Sequence, residues 1–217
     1  GIGNALRHTH FTALQVKNAI VDLQRERWGS RSDIDVVNPD LCIHLHLGYN
    51  HAILSLGTSS KTLHKRGYRP AMGIAPLKEN LAAGLIGLTG WKSDVPLVDP
   101  LCGSGTFLIE AASIASGLAP GLNRDHLFQR WADFDLNIWN EEHALAISNY
   151  SKSIQLPILL GCENNLQTFN QAKLNIRESG FQESIKIQNT HFRNLELPKQ
   201  KGILLCNPPY GKRIGAN

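Results

Sequence analysis

The chain has 217 residues, of which 42% are hydrophobic and 18% are charged, so it contains enough apolar material for a packed core. No stretch approaches the roughly 18 uninterrupted apolar residues that a membrane-spanning helix requires. The net charge of +4 belongs to residues 1–70, which carry nine Lys and Arg against five Asp and Glu. The composition therefore favours a globular protein of one or two domains whose first third can contact phosphate groups.

The cysteine and histidine patterns favour a reducing compartment and argue against a bound metal. Four cysteines lie about sixty residues apart without a CxxC pair, which argues against a zinc cluster or a disulfide framework and favours the cytoplasm. The pairs His8/His10 and His44/His46 have no neighbouring cysteine or carboxylate, so we expect no metal site. Since Met72 is the only methionine, we expect the sequence to begin inside a longer gene product.

The first third of the chain predicts a helix followed by a β-hairpin. Apolar residues three and four apart between Ala13 and Leu23 predict one helix that ends at Gly29. Residues 41–47 alternate apolar and polar side chains as a half-buried strand does, and Gly48-Tyr49-Asn50 is typical of a turn into a second strand at 52–56.

The polar and basic segment 57–70 has no sustained period, so we place a domain boundary there, between residues 1–58 and 59–217. A helix is expected from about Leu77, with an apolar face of leucines four and three apart. Further on, apolar strands alternate with helices. The strands are expected at 95–98, 158–160, 185–187 and 203–206, and the helices at 106–115 and 166–177. This order predicts an α/β protein with a mainly parallel sheet covered on both faces.

One motif, DPLCGSGTFLIE at Asp99–Glu110, lies directly between a predicted strand and a predicted helix. Gly103 and Gly105 have no Cβ, so the chain can turn sharply and a ligand can approach the free N–H groups at the helix start. This arrangement predicts a nucleotide-type cofactor site at the carboxyl end of the strand. The alternative is a tight turn without a ligand, because a bare GxG is a weak signal.

The surrounding residues favour one cofactor over another. A dinucleotide fingerprint requires a third glycine, and Leu108 occupies its place. Glu163 closes the next predicted strand, where its carboxylate can accept two hydrogen bonds from a ribose diol, and Asp99 suits an ammonium group. Both features favour S-adenosylmethionine over NAD, although Glu163 also fits a carboxylate that only stabilises a helix N-terminus.

The second motif, ILLCNPPYG, is a run of four apolar residues followed by Asn207-Pro208-Pro209-Tyr210. Its two prolines end the strand and fix a rigid loop. The side-chain oxygen of Asn207 and the carbonyl of Pro208 can both accept from one exocyclic NH₂ of a base, on which Tyr210 can stack. The motif predicts methylation of a base amine, and a plain strand-breaking loop is the alternative. It does not by itself distinguish guanine N2 from adenine N6.

Together these segments resemble the THUMP-domain-containing, S-adenosylmethionine-dependent RNA guanine-N2 methyltransferases, of the bacterial type that acts on large-subunit ribosomal RNA. DPLCGSGTFLIE and CNPPYG match the two signatures of that family, and PDLCIHLHL at 39–47 is similar to part of its THUMP domain. SKTLHKRGYR at 60–69 and APLKENLAA at 75–83 are similar to the segment leading into its catalytic domain. The resemblance implies the first four strands of a Rossmann-like methyltransferase sheet, preceded by part of an α+β THUMP domain.

The resemblance also implies roles for individual residues. Asn207 to Tyr210 are expected to hold the target base, and Ala75-Pro76-Leu77 the methionine end of the cofactor. His191 stands where the family usually has an acidic residue that contacts the adenine. The expected cofactor-binding set is Asp99, Gly103, Ser104, Gly105, Thr106, Glu163, Pro76, Leu77 and His191.

A basic loop offers a candidate RNA contact. Lys65, Arg66, Tyr68 and Arg69 interleave cations with an aromatic ring, a mixture that binds phosphates and stacks on unpaired bases. A solvated linker is the alternative. Three aromatic residues further on are expected to form the core of a long insertion: Trp131, Phe134 and Trp139.

These observations predict a cytoplasmic enzyme that methylates the exocyclic N2 of a guanine in structured RNA, with ribosomal RNA as the expected substrate and transfer RNA as the alternative. The base would have to leave its helix. Because only four strands of the sheet precede the end of the sequence, we expect these 217 residues alone to be inactive. A non-catalytic RNA-binding module is the competing interpretation.

Overall fold

The structure is a computed structural model that describes residues 8–49, 51–69, 77–151 and 155–208. The chain forms two compact units. The first combines Gly1–Lys61 with Asp125–Leu136, and the second combines Thr62–Arg124 with Asn137–Asn217. This division differs from the predicted one, because a segment from the middle of the chain belongs to the first unit.

The first unit begins with the expected helix, α1 (Thr9–Trp28). Its first turn is capped by the ring of His8, which accepts from the N–H of Phe11, and Gly29 ends it in the left-handed region at a φ of 70°. The predicted apolar stripe is largely exposed, whereas Thr12 and Val21 are the buried positions of this helix. None of the helices in the described part of the chain is long and apolar enough to cross a membrane.

The predicted hairpin is present as β1 (Cys42–Leu47) and β2 (Ala52–Gly57), which pair antiparallel with Cys42 opposite Gly57 and Leu47 opposite Ala52. Neither strand shows the one-sided burial that the alternation predicts. Ile43 and Ile53, for example, are both about half exposed.

Segment Asp125–Leu136 completes the first unit. The N–H of Leu127 donates to the carbonyl of Thr58 at 3.0 Å, and the indole N–H of Trp131 donates to the carbonyl of Asp40 at 3.1 Å. The Arg130 guanidinium also lies 3.5 Å from the Asp40 carboxylate. Of the three aromatic residues expected in the core of the insertion, Trp131 and Phe134 therefore lie in the first unit, and Trp139 lies in the second.

The second unit is an α/β fold. Its elements, in chain order, are α2 (Glu79–Leu88), β3 (Leu97–Asp99), α3 (Thr106–Ala115), α4 (Leu136–Asn149), β4 (Leu159–Cys162), α5 (Leu166–Glu178), β5 (Ile185–Gln188) and β6 (Ile203–Leu204). The strands lie side by side in the order β5-β4-β3-β6, and every pairing is parallel. The predicted strands and the parallel sheet are confirmed.

Apolar side chains cover both faces of this sheet. Leu97 and Leu159 point to the face on which α3 packs, and they belong to the main buried cluster. Val98 and Leu160, their immediate neighbours, belong to a second cluster with Leu195. This alternation across two buried faces is the burial expected of a parallel sheet.

The face of α2 differs from the prediction. Leu81 and Leu88 are exposed, at 51% and 85%, whereas Ala82 and Ile86 are buried. The helix begins at Glu79 rather than Leu77, and its contact with α3 selects the side that carries Ala82 and Ile86. The leucine spacing was periodic, but a helix rich in apolar residues on all sides offers more than one face to a neighbour.

We expect two glycine substitutions to change the stability in opposite directions. A Cβ added to Gly161, in β4, would lie 3.0 Å from the Cβ of Cys102 and 3.1 Å from the carbonyl oxygen of Asp99. Gly161→Ala should therefore lower the free energy of unfolding by about 1–3 kcal/mol. Gly87, in α2, has open space around it, so Gly87→Ala should raise stability by about 0.5–1 kcal/mol. Urea unfolding of both variants measures this, and an equal effect of the two would contradict the packing described for β4.

Candidate active site

The carboxyl ends of the four parallel strands bring the predicted polar residues to one edge of the sheet. Asp99 is the last residue of β3, Glu163 follows β4, and His191 follows β5. Asn207 comes three residues after β6, which pairs with β3. Because these strands are parallel neighbours, their ends form one rim, at which open α/β sheets bind ligands.

Asp99 is the central charge of this rim and is only 2% exposed. One carboxylate oxygen accepts a hydrogen bond from the N–H of Leu101 at 3.1 Å. Burial raises the pKa of Asp99 to about 7, and the nearby charge of Glu163 adds to this shift. The same carboxylate contributes, after burial, to the raised pKa of Cys206, so the end of β6 lies within its electrostatic reach.

The glycine turn between β3 and α3 has the backbone that the motif predicts. Gly103 and Gly105 have φ values of 52° and 84°, in the left-handed region that favours glycine. The N–H of Cys102 donates to the carbonyl of Cys162 at 2.9 Å, which ties the turn to the end of β4. Gly105 is the N-cap residue of α3, and no side chain caps this helix.

The turn leaves main-chain donors available to a ligand. Within the described residues, no partner is found for the N–H groups of Gly103 and Ser104. The first N–H groups of α3 add to this set, and the positive end of the helix dipole lies behind them. The N–H groups of the turn therefore suit a carboxylate or a similar anion, while the Asp99 carboxylate suits a cation.

Glu163 stands at the end of β4, where its Oε1 accepts from the N–H of Asn165 at 2.8 Å. Asn165 in turn caps α5. The amide of Asn189 donates to the Glu163 carbonyl at 2.8 Å and so links the ends of β4 and β5. The Glu163 side chain is half-buried, and one of its carboxylate oxygens binds the N–H of the residue that caps α5.

His191 caps a short 3-10 turn, Phe192–Asn194, and its Nδ1 accepts from the N–H of Arg193 at 3.3 Å. Its ring lies 4.4 Å from the ring of Phe192, which is 45% exposed. A partly exposed aromatic pair therefore follows β5, at the position where the family that the sequence resembles usually has an acidic residue. Sequence reasoning did not single out Phe192, although its position directly after His191 was a visible signal.

The second motif is described as far as Pro208. Asn207 and Pro208 are exposed, and the N–H of Leu205 donates to the carbonyl of Val98 at 2.9 Å, which continues the β3–β6 pairing beyond the last strand residue. Asn207 and Pro208 thus lie at the surface beyond the end of β6. Three of the expected site residues, Pro209, Tyr210 and Pro76, lie outside the described residues.

The linker residues proposed for RNA contact are mostly committed to the protein itself. The Arg66 side chain is 15% exposed and lies 3.4 Å from the Glu110 carboxylate, to which the hydroxyl of Tyr68 donates at 3.0 Å. Arg69 is 7% exposed and faces Glu79. Lys65 is exposed. An RNA contact at any of these four residues stays a prediction, and three of the four side chains already have partners within the protein.

Two buried polar residues support the glycine turn, and one of them, Asn175, was not predicted from the sequence. Asn175, in α5, is fully buried, and its amide donates to the carbonyl of Ser104 at 3.1 Å. Thr106 is 4% exposed, and its hydroxyl oxygen accepts from Arg69 at 2.6 Å. A polar residue within the apolar stripe of a helix, between Ala172 and Ile176, was the available signal for Asn175.

Two family models match the chain. Residues 66–217 match the RMKL-like methyltransferase domain, and residues 2–57 match the THUMP domain. Residues 58–65, between the two matches, lie within the linker, and the N-terminal segment of the first compact unit ends there at Lys61.

Individual relatives agree with these matches. The chain is 46% identical to a Synechocystis protein named "Putative RNA methyltransferase", over 97% of this chain and 55% of the relative. It is 42% identical to the ribosomal RNA large subunit methyltransferase K/L of Pseudomonas fluorescens, over 99% of this chain and 30% of the relative. The chain thus spans about half or less of the curated relatives it matches.

A solved structure shares this fold. The crystal structure of SMU.472, described as "a putative methyltransferase complexed with SAH", superposes with a TM-score of 0.80 at 34% identity. The superposition covers 93% of this chain and 53% of the other.

Proposed function

Because the chain belongs to the RMKL-like methyltransferase family and carries a THUMP domain, we propose that the protein methylates the exocyclic N2 of a guanine in large-subunit ribosomal RNA in the cytoplasm, with S-adenosylmethionine as the donor. The observation that carries this proposal is the shared edge of the sheet. Asp99 and the glycine turn lie at the end of β3, and Asn207 follows β6, the strand paired with β3.

The rim fits the amino acid part of this cofactor. Its ammonium group suits the buried carboxylate of Asp99, and its carboxylate suits the N–H groups of the glycine turn and the start of α3. The ribose hydroxyls suit Glu163, and His191 and Phe192 present rings to the adenine. When bound, S-adenosylmethionine supplies a methyl group on a positively charged sulfur, which is a strong electrophile.

Asn207 and Pro208 would prepare the nucleophile. The amino group of guanine is a poor nucleophile, because its lone pair is delocalised into the ring. Two acceptors that bind its hydrogens favour a pyramidal nitrogen, whose lone pair would form the new N–C bond while the methyl–sulfur bond breaks and its electron pair stays on the sulfur. The amine proton becomes acidic only as the N–C bond forms and would then pass to water, so a general base is not required before attack. In this role the Asn207 oxygen and the Pro208 carbonyl act as transition-state acceptors.

The first unit is the proposed RNA-binding part. It contains the THUMP match, residues 2–57. A guanine N2 is paired inside a helix, so the target base must be extruded at a cost of a few kcal/mol. Stacking on Tyr210, worth about 1–3 kcal/mol, would offset much of that cost.

Mass spectrometry of nucleosides from cells that lack the gene tests the proposal. We expect N2-methylguanosine to fall in the large-subunit RNA fraction and to return when the wild-type gene is restored. A fall confined to transfer RNA would move the substrate there, and loss of N6-methyladenosine instead would assign the enzyme to adenine. Unchanged nucleosides, together with no binding of S-adenosylmethionine by calorimetry, would contradict an enzymatic role.

A further inference from the structure

Two buried ion pairs join the linker to the helices of the second unit, and each pair involves a different helix. Arg66 pairs with Glu110 in the second turn of α3. Arg69 pairs with Glu79, the first residue of α2, at 3.6 Å. All four side chains are at most 15% exposed, so both pairs are buried in the fold.

Arg69 does more than pair with Glu79. One guanidinium nitrogen, Nη2, donates to the Thr106 hydroxyl at 2.6 Å, and both terminal nitrogens lie 3.3 Å from the carbonyl of Leu77. Thr106 is the first residue of α3 and directly follows Gly105. A single buried side chain therefore connects the linker, the approach to α2 and the end of the glycine turn.

A second contact holds the same turn. The side-chain amide of Asn175, in α5, donates to the Ser104 carbonyl. Arg69 thus donates to the Thr106 hydroxyl and Asn175 to the Ser104 carbonyl, so buried side chains bind two acceptors of the turn. The N–H groups of Gly103 and Ser104 keep no partner within the described residues. Holding a flexible glycine turn through its acceptors while leaving its donors open is what pre-organised ligand binding requires.

We propose that Arg69 is a positioning residue for cofactor binding, fixing the Gly103–Thr106 turn through the Thr106 hydroxyl, whereas Arg66 only holds the linker to the body of α3. Resting on the cofactor proposed above, this inference assigns Arg69 a role in S-adenosylmethionine affinity rather than in RNA contact. The charge-assisted hydrogen bond to Thr106 is the link that transmits the effect.

Paired substitutions separate the two arginines. Changing Arg69 alone would leave the Glu79 carboxylate buried without a counter-charge, which endangers folding. The test variant is therefore Arg69→Gln with Glu79→Gln, and its matched control is Arg66→Gln with Glu110→Gln. Both remove one buried ion pair between the same linker and the second unit, but only the first removes the donor to Thr106.

Two measurements on the full-length protein decide the matter. In the ligand-free state, we expect amide hydrogen exchange at Gly105 and Ile109, whose N–H groups donate to the carbonyls of Cys102 and Gly105, to be faster in the Arg69/Glu79 variant than in the Arg66/Glu110 variant. By calorimetry, we expect the Kd for S-adenosylmethionine to rise about tenfold in the first and to stay within about twofold in the second. Thermal unfolding of both variants shows whether their loss of stability is comparable.

Equal acceleration of exchange in the two variants, or none in either, would overturn the role given to Arg69. An unchanged Kd in the Arg69/Glu79 variant, where the wild type binds S-adenosylmethionine, would do the same. If the wild type itself fails to bind S-adenosylmethionine, the proposed cofactor is wrong, and the exchange comparison still decides whether Arg69 holds the turn.

Discussion

Replacing Asn207 by alanine in the full-length protein is expected to lower the turnover number by about 10²-fold or more, as does the loss of one transition-state hydrogen-bond partner elsewhere. Asn207 is exposed just beyond β6, where its oxygen can accept from a base amine. Because the glycine turn and Asp99 would be untouched, the Kd for S-adenosylmethionine should stay nearly the same. Steady-state kinetics with RNA and calorimetry with the cofactor measure the two effects separately.

Two further variants sharpen this test. Asn207→Asp retains acceptor oxygens and should keep more turnover than the alanine variant. Asn170→Ala truncates an exposed asparagine of α5 away from the rim and should match the wild type. Undiminished turnover in Asn207→Ala would refute the role given to this residue, and an equal loss in Asn170→Ala would point to a general effect on folding.

Asp99 should make the stability of the fold depend on pH. Its folded pKa of about 7 lies above the ordinary value of 3.8, because burial disfavours the charged form. Between these values the folded protein retains a proton that the unfolded chain has lost, so the free energy of unfolding falls as pH rises. At 1.36 kcal/mol per unit, Asp99 costs roughly 4 kcal/mol of stability above pH 7 that it does not cost below pH 4.

Asp99→Asn keeps the size of the side chain and removes this titration. Urea unfolding across pH 4 to 8 should show the variant gaining stability relative to the wild type as pH rises. A constant difference between the two proteins over this range would show that Asp99 titrates at its ordinary pKa.

The same carboxylate should make cofactor binding depend on pH in the opposite sense. A cationic ammonium group favours the ionised form of Asp99, so binding below pH 7 must remove a proton from the free protein. We expect the Kd for S-adenosylmethionine to rise about tenfold per pH unit below 7 and to level off above it. Calorimetry at several pH values measures this, and weak, pH-independent binding is expected for Asp99→Asn.

The sequence predicted the second unit well where local and tertiary preferences agree. Short apolar strands and the glycines Gly103 and Gly105 at a strand-to-helix junction act through backbone geometry that their immediate neighbours fix. The parallel order followed from the alternation of strands and helices. These are also the features that place Asp99 and Asn207 at one edge of the sheet.

The sequence did not reveal contacts whose partners are distant in the chain. Nothing near Arg66 and Arg69 indicates that Glu110 and Glu79 lie opposite them. The contact of Trp131 within the first unit was missed for the same reason, since its carbonyl partner at Asp40 lies 91 residues away. In α2, apolar residues on several sides left the buried face to be chosen by the contact with α3.

A crystal structure of the full-length protein with bound S-adenosylmethionine tests the central claim most directly. We expect the amino acid part of the cofactor on the Gly103–Thr106 turn, its ammonium group on Asp99, and its methyl group directed to the space beside Asn207. A cofactor bound elsewhere on the molecule, or a methyl group directed away from the end of β6, would contradict the assignment of this rim as a methyl-transfer site.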